Sequence, residues 1–211
     1  MANTAPITIE QLFRFFRNLP HQAAAIQQLE QDLALNGYAA AMRRDRAWFQ
    51  TWSQDGKQVD LAAALQIVKK YEGVRLSAYP DPGTGGDPWT IGWGNTRYPD
   101  GRPVQRGDKI NMVEADMMLR REIDHIAASL GKQVPYWAEM SDGQKCALIS
   151  FAYNCGTAFY GSSGFNTISR ALKEKRWDDV PRAMMLYVNP GTSVEVGLRR
   201  RRTEEGTLWA S

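Results

Sequence analysis

Residues 71–81 read YEGVRLSAYPD, and residues 89–96, after a loop rich in glycine and proline, read WTIGWGNT. Ahead of the first stretch, apolar residues recur at helical spacing, which predicts a helix that begins with Asp60 as its N-cap and ends at Glu72-Gly73. The second stretch is short, aromatic and β-branched, as in strands. A helix that runs into a small sheet or hairpins is therefore predicted here.

Helical signals return after this β region. Asn111 is the predicted N-cap of a helix through Leu130 with one broad apolar stripe, formed by Met112, Ala115, Met118, Leu119, Ile123 and Ile126. The residues SDGQ at 141–144 form a capping-box pattern before an apolar helix at 147–153. Further helices are predicted at 166–175, 178–187 and 195–209.

The chemistry-bearing residues of this region are Glu72, Asp81 and Thr90. The partial negative charge at a helix C-terminus disfavours an ionised carboxyl, which suits Glu72 to act as a general acid. Asp81 lies in a polar loop that favours its ionised form. Two carboxyl groups in opposite protonation states are what glycosidic cleavage requires, although two surface charges at this spacing are also common in proteins.

The segments YEGVRLSAYPD and WTIGWGNT resemble the signature of the phage-type lysozymes, glycoside hydrolase family 24. Residues 140–156 (MSDGQKCALISFAYNCG) and 197–209 (GLRRRRTEEGTLW) resemble the family's central and closing helices. The resemblance covers roughly residues 60–211. Thr90 follows Asp81 by nine residues, three more than is usual in the family, and Asn95 stands where members commonly carry His.

This resemblance implies a mostly α, α+β fold with a small β lobe and a helical lobe joined by the long helix near Asn111 to Leu130. The predicted domains are 1–58, a small helical unit that engages the wall or docks on the remainder, and 59–211, the catalytic domain. The active cleft would lie between the two lobes.

The resemblance also implies the reaction. The substrate would be peptidoglycan, cut at the β-1,4 bond between N-acetylmuramic acid and N-acetylglucosamine. Glu72 would protonate the leaving oxygen, while Asp81 and Thr90 would position water on the opposite sugar face, as in an inverting enzyme. The expected activity is that of an endolysin that lyses the host, with no metal or cofactor.

Composition and charge agree with a folded enzyme. Lys and Arg exceed Asp and Glu by only three, 26 against 23, which argues against a nucleic-acid binder. The expected protein is a monomer without stable membrane insertion. Because residues 1–10 lack signal-peptide features, we expect synthesis in the host cytoplasm and holin-type release to the wall. The two cysteines, Cys146 and Cys155, are expected to be free thiols.

Two other readings stay open. A non-catalytic wall-binding or tail-structural protein could keep this fold, although the presence of all three polar residues disfavours it. A lytic transglycosylase would use a single glutamate without an aspartate partner, so Asp81 and Thr90 disfavour that class as well.

A few other residues have two possible uses. Trp89 and Trp93 could stack on sugars but fit a strand's core face better, and His125 is expected to be exposed. Arg199 to Arg202 could contact wall carboxylates or form i,i+4 pairs with nearby glutamates on a solvated helix face.

Overall fold

The computed structural model describes residues 60–80 and 84–211. The predicted boundary between residues 58 and 59, the predicted N-terminal unit and Asp81 lie outside this part of the chain. The first described helix, α1, spans Ala62–Glu72. Its N-cap is Leu61, one residue later than predicted, because the Asp60 carboxylate accepts a hydrogen bond from the Ala62 N–H at 3.0 Å in the turn before the helix.

The β region follows α1 directly. Strands β1 (Arg75–Tyr79) and β2 (Thr90–Gly92) pair antiparallel, with Arg75 opposite Gly92 and Tyr79 opposite Thr90. The register shifts between these two pairs, so the strands contain an irregularity. Backbone hydrogen bonds from Ala78 to Asp108 and from Ile110 to Leu76, both 2.9 Å, attach a third segment to β1. The small sheet predicted from residues 89–96 is thus confirmed.

Two capping boxes start the long helices where the sequence placed them. Helix α2 spans Met112–Gln133, and the Asn111 side chain accepts from the Glu114 N–H at 2.9 Å. Helix α3 spans Asp142–Cys155 behind Ser141, which makes the reciprocal pair of bonds with Gln144. The predicted apolar stripe of α2 is wrong for one residue: Met112 is the first residue of the helix and is 44% exposed.

Helix α3 is the centre of the helical lobe. Its residues 146–152 are all buried, so the helix is covered on every side, and it packs against α1, α2 and a C-terminal helix, α6 (Glu195–Trp209). Phe151 of α3 makes edge contacts with Phe159, Phe165 and Tyr187, whose ring centroids lie 5.1–6.1 Å away. The core therefore continues from α3 into the segment that follows it.

Shorter elements complete the helical lobe. Helix α4 spans Asn166–Lys173, two residues shorter than predicted, and α6 matches its predicted bounds. The helix predicted at 178–187 is wrong in length: a single 3-10 turn, Trp177–Asp179, precedes the five-residue helix α5, Val180–Met184. Other 3-10 turns lie at Trp137–Glu139, Thr157–Phe159 and Ser163–Phe165.

The part of the chain that the structure describes is mostly helical with one small two-stranded sheet, in agreement with the predicted α+β class. Within the same part, no helix is both long enough and apolar enough to cross a membrane.

Candidate active site

Glu72 is the last residue of α1, as predicted. Gly73 follows with a φ of +67°, a conformation that costs glycine little and turns the chain away from the helix axis towards β1. The Glu72 side chain is 26% exposed, so the carboxyl group is partly shielded but open to solvent. The helix end therefore presents an accessible carboxyl group between α1 and the sheet.

Arg201 of α6 contacts this carboxyl group. Its Nη1 donates to Glu72 Oε1 at 2.5 Å, and its side chain is only 3% exposed. The other guanidinium nitrogens donate within the lobe, Nε to Glu205 Oε1 at 3.1 Å and Nη2 to the Ser150 carbonyl at 3.0 Å. A buried arginine thus joins Glu72 to α3 and α6.

The arginine run of α6 is divided between solvent and core. Arg199 pairs with Glu195 on the exposed side, as the i,i+4 reading predicted. The expectation of a solvated face is wrong for Arg201 and Arg202, which are 2% and 0% exposed. Their charges are matched inside the lobe by Glu205, which is also fully buried and bonds both arginines.

Thr90 is the first residue of β2 and is half-buried. Thr84, another threonine in the loop before β2, uses its hydroxyl within its own turn: it donates to the Asp87 carbonyl at 2.9 Å and accepts from the Gly86 N–H at 3.2 Å. Asp81 lies outside the described residues, so its role and the pairing of the three proposed catalytic residues stay predictions.

A cavity of about 400 Å³ lies where the β region faces α2 and α3. This volume is within the usual range of ligand sites. The residues that line the cavity come from the loop after β2 (Gly94 to Arg97), from α2 (Glu122, Ile126) and from the end of α3 and the following turn (Ala152, Tyr153, Gly156, Thr157). The position agrees with the cleft expected between a β lobe and a helical lobe.

Tyr153 connects the cavity to Glu72. Its hydroxyl donates to the Trp93 carbonyl at 2.8 Å, which ties α3 to the end of the sheet. Burial raises the pKa of Tyr153, and the nearby negative charges of Glu72 and Glu122 raise it further. The phenol is therefore neutral at physiological pH, and Glu72 lies within electrostatic reach of the cavity wall.

Asn95 also lines the cavity. The residue is 8% exposed, and among the described residues its Oδ1 atom has no hydrogen-bond partner. The Oδ1 atom itself is shielded, so its missing hydrogen bond is a local cost to stability and not a contact offered to the cavity. The sequence singled out Asn95 only through its departure from the usual His.

The remaining candidates behave as packing or surface residues. Trp93 is 6% exposed and its indole N–H donates to Asp116 at 3.1 Å, which confirms a core position, and Trp89 is half-buried. His125 is exposed, as predicted. In residues 60–80 and 84–211, no three His, Cys, Asp or Glu side chains are grouped so that they could hold a metal ion.

The two cysteines are free thiols, as expected. Cys146 lies in the core, where burial raises the pKa of its thiol to about 11. Cys155 is half-buried, and burial raises its pKa as well. Both thiols are therefore in their unreactive neutral form at physiological pH.

Comparisons with known proteins identify the family. The phage lysozyme family model matches residues 69–205. An endolysin of Acyrthosiphon pisum secondary endosymbiont phage 1 is 28% identical over 151 residues, which are 70% of this chain and 94% of that protein. An endolysin of Lactococcus phage c2 is 31% identical over 149 residues, 69% of this chain and 57% of that protein, so the chain spans just over half of that longer relative.

A solved structure shares the fold. The endolysin from Escherichia coli O157:H7 phage FAHEc1 aligns with a TM-score of 0.59 and 26% identity, over 73% of this chain and 94% of that one. The fold and the family match support a lysozyme-type hydrolase. The chain belongs to the phage lysozyme family, and this membership supports a peptidoglycan-lytic role.

Proposed function

We propose that the protein hydrolyses the β-1,4 bond between N-acetylmuramic acid and N-acetylglucosamine in bacterial peptidoglycan. The supporting observation is Glu72, a partly shielded carboxyl group at the end of α1 that Arg201 contacts and that lies within electrostatic reach of Tyr153 in the wall of a cavity of about 400 Å³. A general acid that protonates a glycosidic oxygen needs this combination of a fixed position and access to substrate.

The chemistry divides between the two sides of the sugar. Glu72 is proposed to give its proton to the leaving oxygen from Oε2, since Arg201 donates to Oε1. Asp81 and Thr90 are proposed to orient a water molecule on the opposite face; its oxygen attacks the anomeric carbon as the glycosidic bond breaks, and Asp81 takes up the proton that the water loses. The glycan chain would occupy the cavity.

Purified peptidoglycan provides the direct test. Glu72→Gln is expected to fold normally and to lose nearly all hydrolysis, about a thousandfold or more, because a neutral amide is too weakly acidic to protonate the leaving oxygen. Glu139→Gln is the matched control, since Glu139 is an exposed glutamate that pairs with Lys175 away from the site. Activity of Glu72→Gln within tenfold of the wild type would contradict the assignment.

The products separate the competing readings. Hydrolysis leaves a reducing sugar end, whereas a lytic transglycosylase leaves anhydro-muramyl ends that are lighter by one water, so mass spectrometry distinguishes the two enzymes. Binding to peptidoglycan without turnover would instead support the wall-binding protein. A monomeric state and holin-type release from the cytoplasm stay part of this proposal.

A further inference from the structure

Glu205 is a fully buried carboxylate in the helical lobe, and it contacts Arg201, the arginine that also contacts Glu72. Its Oε1 accepts from the Ser150 hydroxyl at 2.7 Å and from Arg201 Nε at 3.1 Å, and its Oε2 accepts from Arg202 Nη1. A buried charge is tolerated only when it is paired and hydrogen-bonded, and Glu205 meets both conditions. The carboxylate is therefore locked in one position.

Arg201 links the fixed carboxylate of Glu205 to Glu72 in the candidate active site. A guanidinium group is planar and holds its donors in a rigid fork, so the direction of Nε fixes the direction of Nη1. Glu205 binds Nε, the Ser150 carbonyl binds Nη2 at 3.0 Å, and Nη1 is left directed at Glu72 Oε1. The atom that touches the proposed general acid is thus placed by groups deep in the lobe.

We propose that Glu205 is a positioning residue for hydrolysis, acting through Arg201 to hold Glu72 and to balance the charge around it. This inference rests on the proposed function of Glu72 as general acid. Glu205 touches no substrate and has no part in proton transfer. Glu205 contributes instead to the geometry and the electrostatic environment of Glu72, the proposed proton donor.

The charge of Glu205 gives its proposed role an effect that can be measured. Two carboxylates, Glu72 and Glu205, face two guanidinium groups, Arg201 and Arg202, so the cluster is neutral when all four groups are ionised. Removing the charge of Glu205 leaves two cations against Glu72 alone, which favours the ionised form of Glu72 over the proton-donating form. Tyr71, Tyr153 and Cys155 interact electrostatically with members of this cluster. In turn, Glu204 acts on Tyr71, and Glu122 and Tyr79 act on Tyr153.

The test compares Glu205→Gln with Glu204→Gln on the full chain. Both changes remove one negative charge from adjacent positions of α6, but Glu204 bonds Lys70 and Tyr71 at the surface instead of Arg201. In Glu205→Gln, the alkaline limb of the kcat profile on peptidoglycan is expected to move about one unit towards lower pH. Accordingly kcat on that limb falls about tenfold, with KM changed by less than about twofold.

Glu204→Gln is expected to keep the wild-type profile. An equal shift in both variants would mean that only long-range charge matters and would overturn the positioning role. An unchanged alkaline limb in a folded Glu205→Gln would overturn it as well.

Ser150→Ala keeps the test decisive if Glu205→Gln fails to fold, as judged by circular dichroism. This change removes the hydroxyl that donates to Glu205 Oε1 but keeps every charge and the Ser150 carbonyl. A fall in kcat of about threefold to tenfold, with the alkaline limb in place, is expected from looser positioning alone. A wild-type kcat in Ser150→Ala would overturn the proposal.

Failure of the proposed function would look different. A wild-type protein that does not hydrolyse peptidoglycan contradicts the assignment of Glu72, whatever the Glu205 variants do. A wild type that is active, with Glu72→Gln inactive and Glu205→Gln unchanged in pH profile, overturns only the role of Glu205.

Discussion

Glu72 is held by a side chain 129 residues further along the chain. The short Arg201 contact occupies one carboxyl oxygen, while the 26% exposure of the side chain leaves room for a substrate. A carboxyl group with fixed orientation loses little entropy when it meets the glycosidic oxygen, so part of the barrier to reaction is removed in advance. Its fixed orientation therefore suits Glu72 to its proposed role as general acid.

The two threonines of the Asp81 to Thr90 region give the prediction at this scale. Thr90→Ala is expected to lower kcat about tenfold to a hundredfold, because the lost hydroxyl would orient water but carries no charge. Thr84→Ala is expected to leave kcat within about twofold, since its hydroxyl is used inside its own turn. Initial rates on purified peptidoglycan measure both variants, and the reverse ranking would show that Thr84 belongs to the catalytic set.

At the scale of elements, α6 is an unusual helix for a protein core. Arg201, Arg202 and Glu205 lie three and four residues apart, so they share one face, and that face packs against α3. Arg202 also lies over the Phe151 ring, 4.6 Å from its centroid, and donates to the Tyr187 carbonyl at 3.2 Å. The face is polar in sequence yet buried in the structure because its charges neutralise one another.

The loop between β2 and α2 depends on another carboxylate. Asp108 accepts from the Gln105 N–H at 3.0 Å and from the Tyr98 hydroxyl at 2.9 Å, and it pairs with Arg102. The Gln105 hydrogen bond is the main cause that holds the pKa of Asp108 below its ordinary value, and the Tyr98 and Arg102 contacts add to it. Stabilisation from this group is present above the unfolded-state pKa, about 3.9, and is lost as the pH falls through the folded-state pKa.

Asp108→Asn is therefore expected to lower the free energy of unfolding by about 1 kcal/mol at neutral pH. The difference from the wild type should begin to shrink as the pH falls below the unfolded-state pKa, about 3.9, and should be smallest below the lower folded-state pKa, where the wild-type carboxyl is protonated. Denaturant unfolding at neutral and acidic pH measures both effects, with Asp178→Asn, an exposed aspartate, as the control. If the free energy of unfolding of Asp108→Asn stays below that of the wild type by the same amount in acid, the lost stability comes from a change in packing and not from the lost charge.

At the scale of the whole molecule, the prediction concerns the role of residues 1–58. This segment precedes the family match at 69–205, and we predicted that it assists wall engagement or packs on the catalytic part. A chain that begins at Val59 is expected to keep its turnover number but to bind insoluble peptidoglycan more weakly or to melt at a lower temperature, because units below about 60 residues have marginal cores of their own and favour docking. Sedimentation binding and thermal melts measure the two effects. Equal binding and equal melting temperature would contradict both roles.

Local patterns were sufficient to predict much of this molecule. The capping boxes at Asn111 and Ser141, the end of α1 at Glu72 and the bounds of α6 followed from the sequence, because caps and helix ends depend on hydrogen bonds between residues three or four positions apart. The strand at Thr90 followed from its aromatic and β-branched neighbours. The family followed as well, since its motifs are continuous stretches of sequence.

Tertiary structure alone decided how these elements meet. Arg201 and Arg202 look like surface residues in sequence, and whether such charges are buried depends on partners such as Ser150 and Glu205 that only packing brings together. The unsatisfied amide of Asn95 is likewise visible only once the cavity is formed. The cost of burying a charge or a polar group is set by every atom around it, and those atoms come from all parts of the chain.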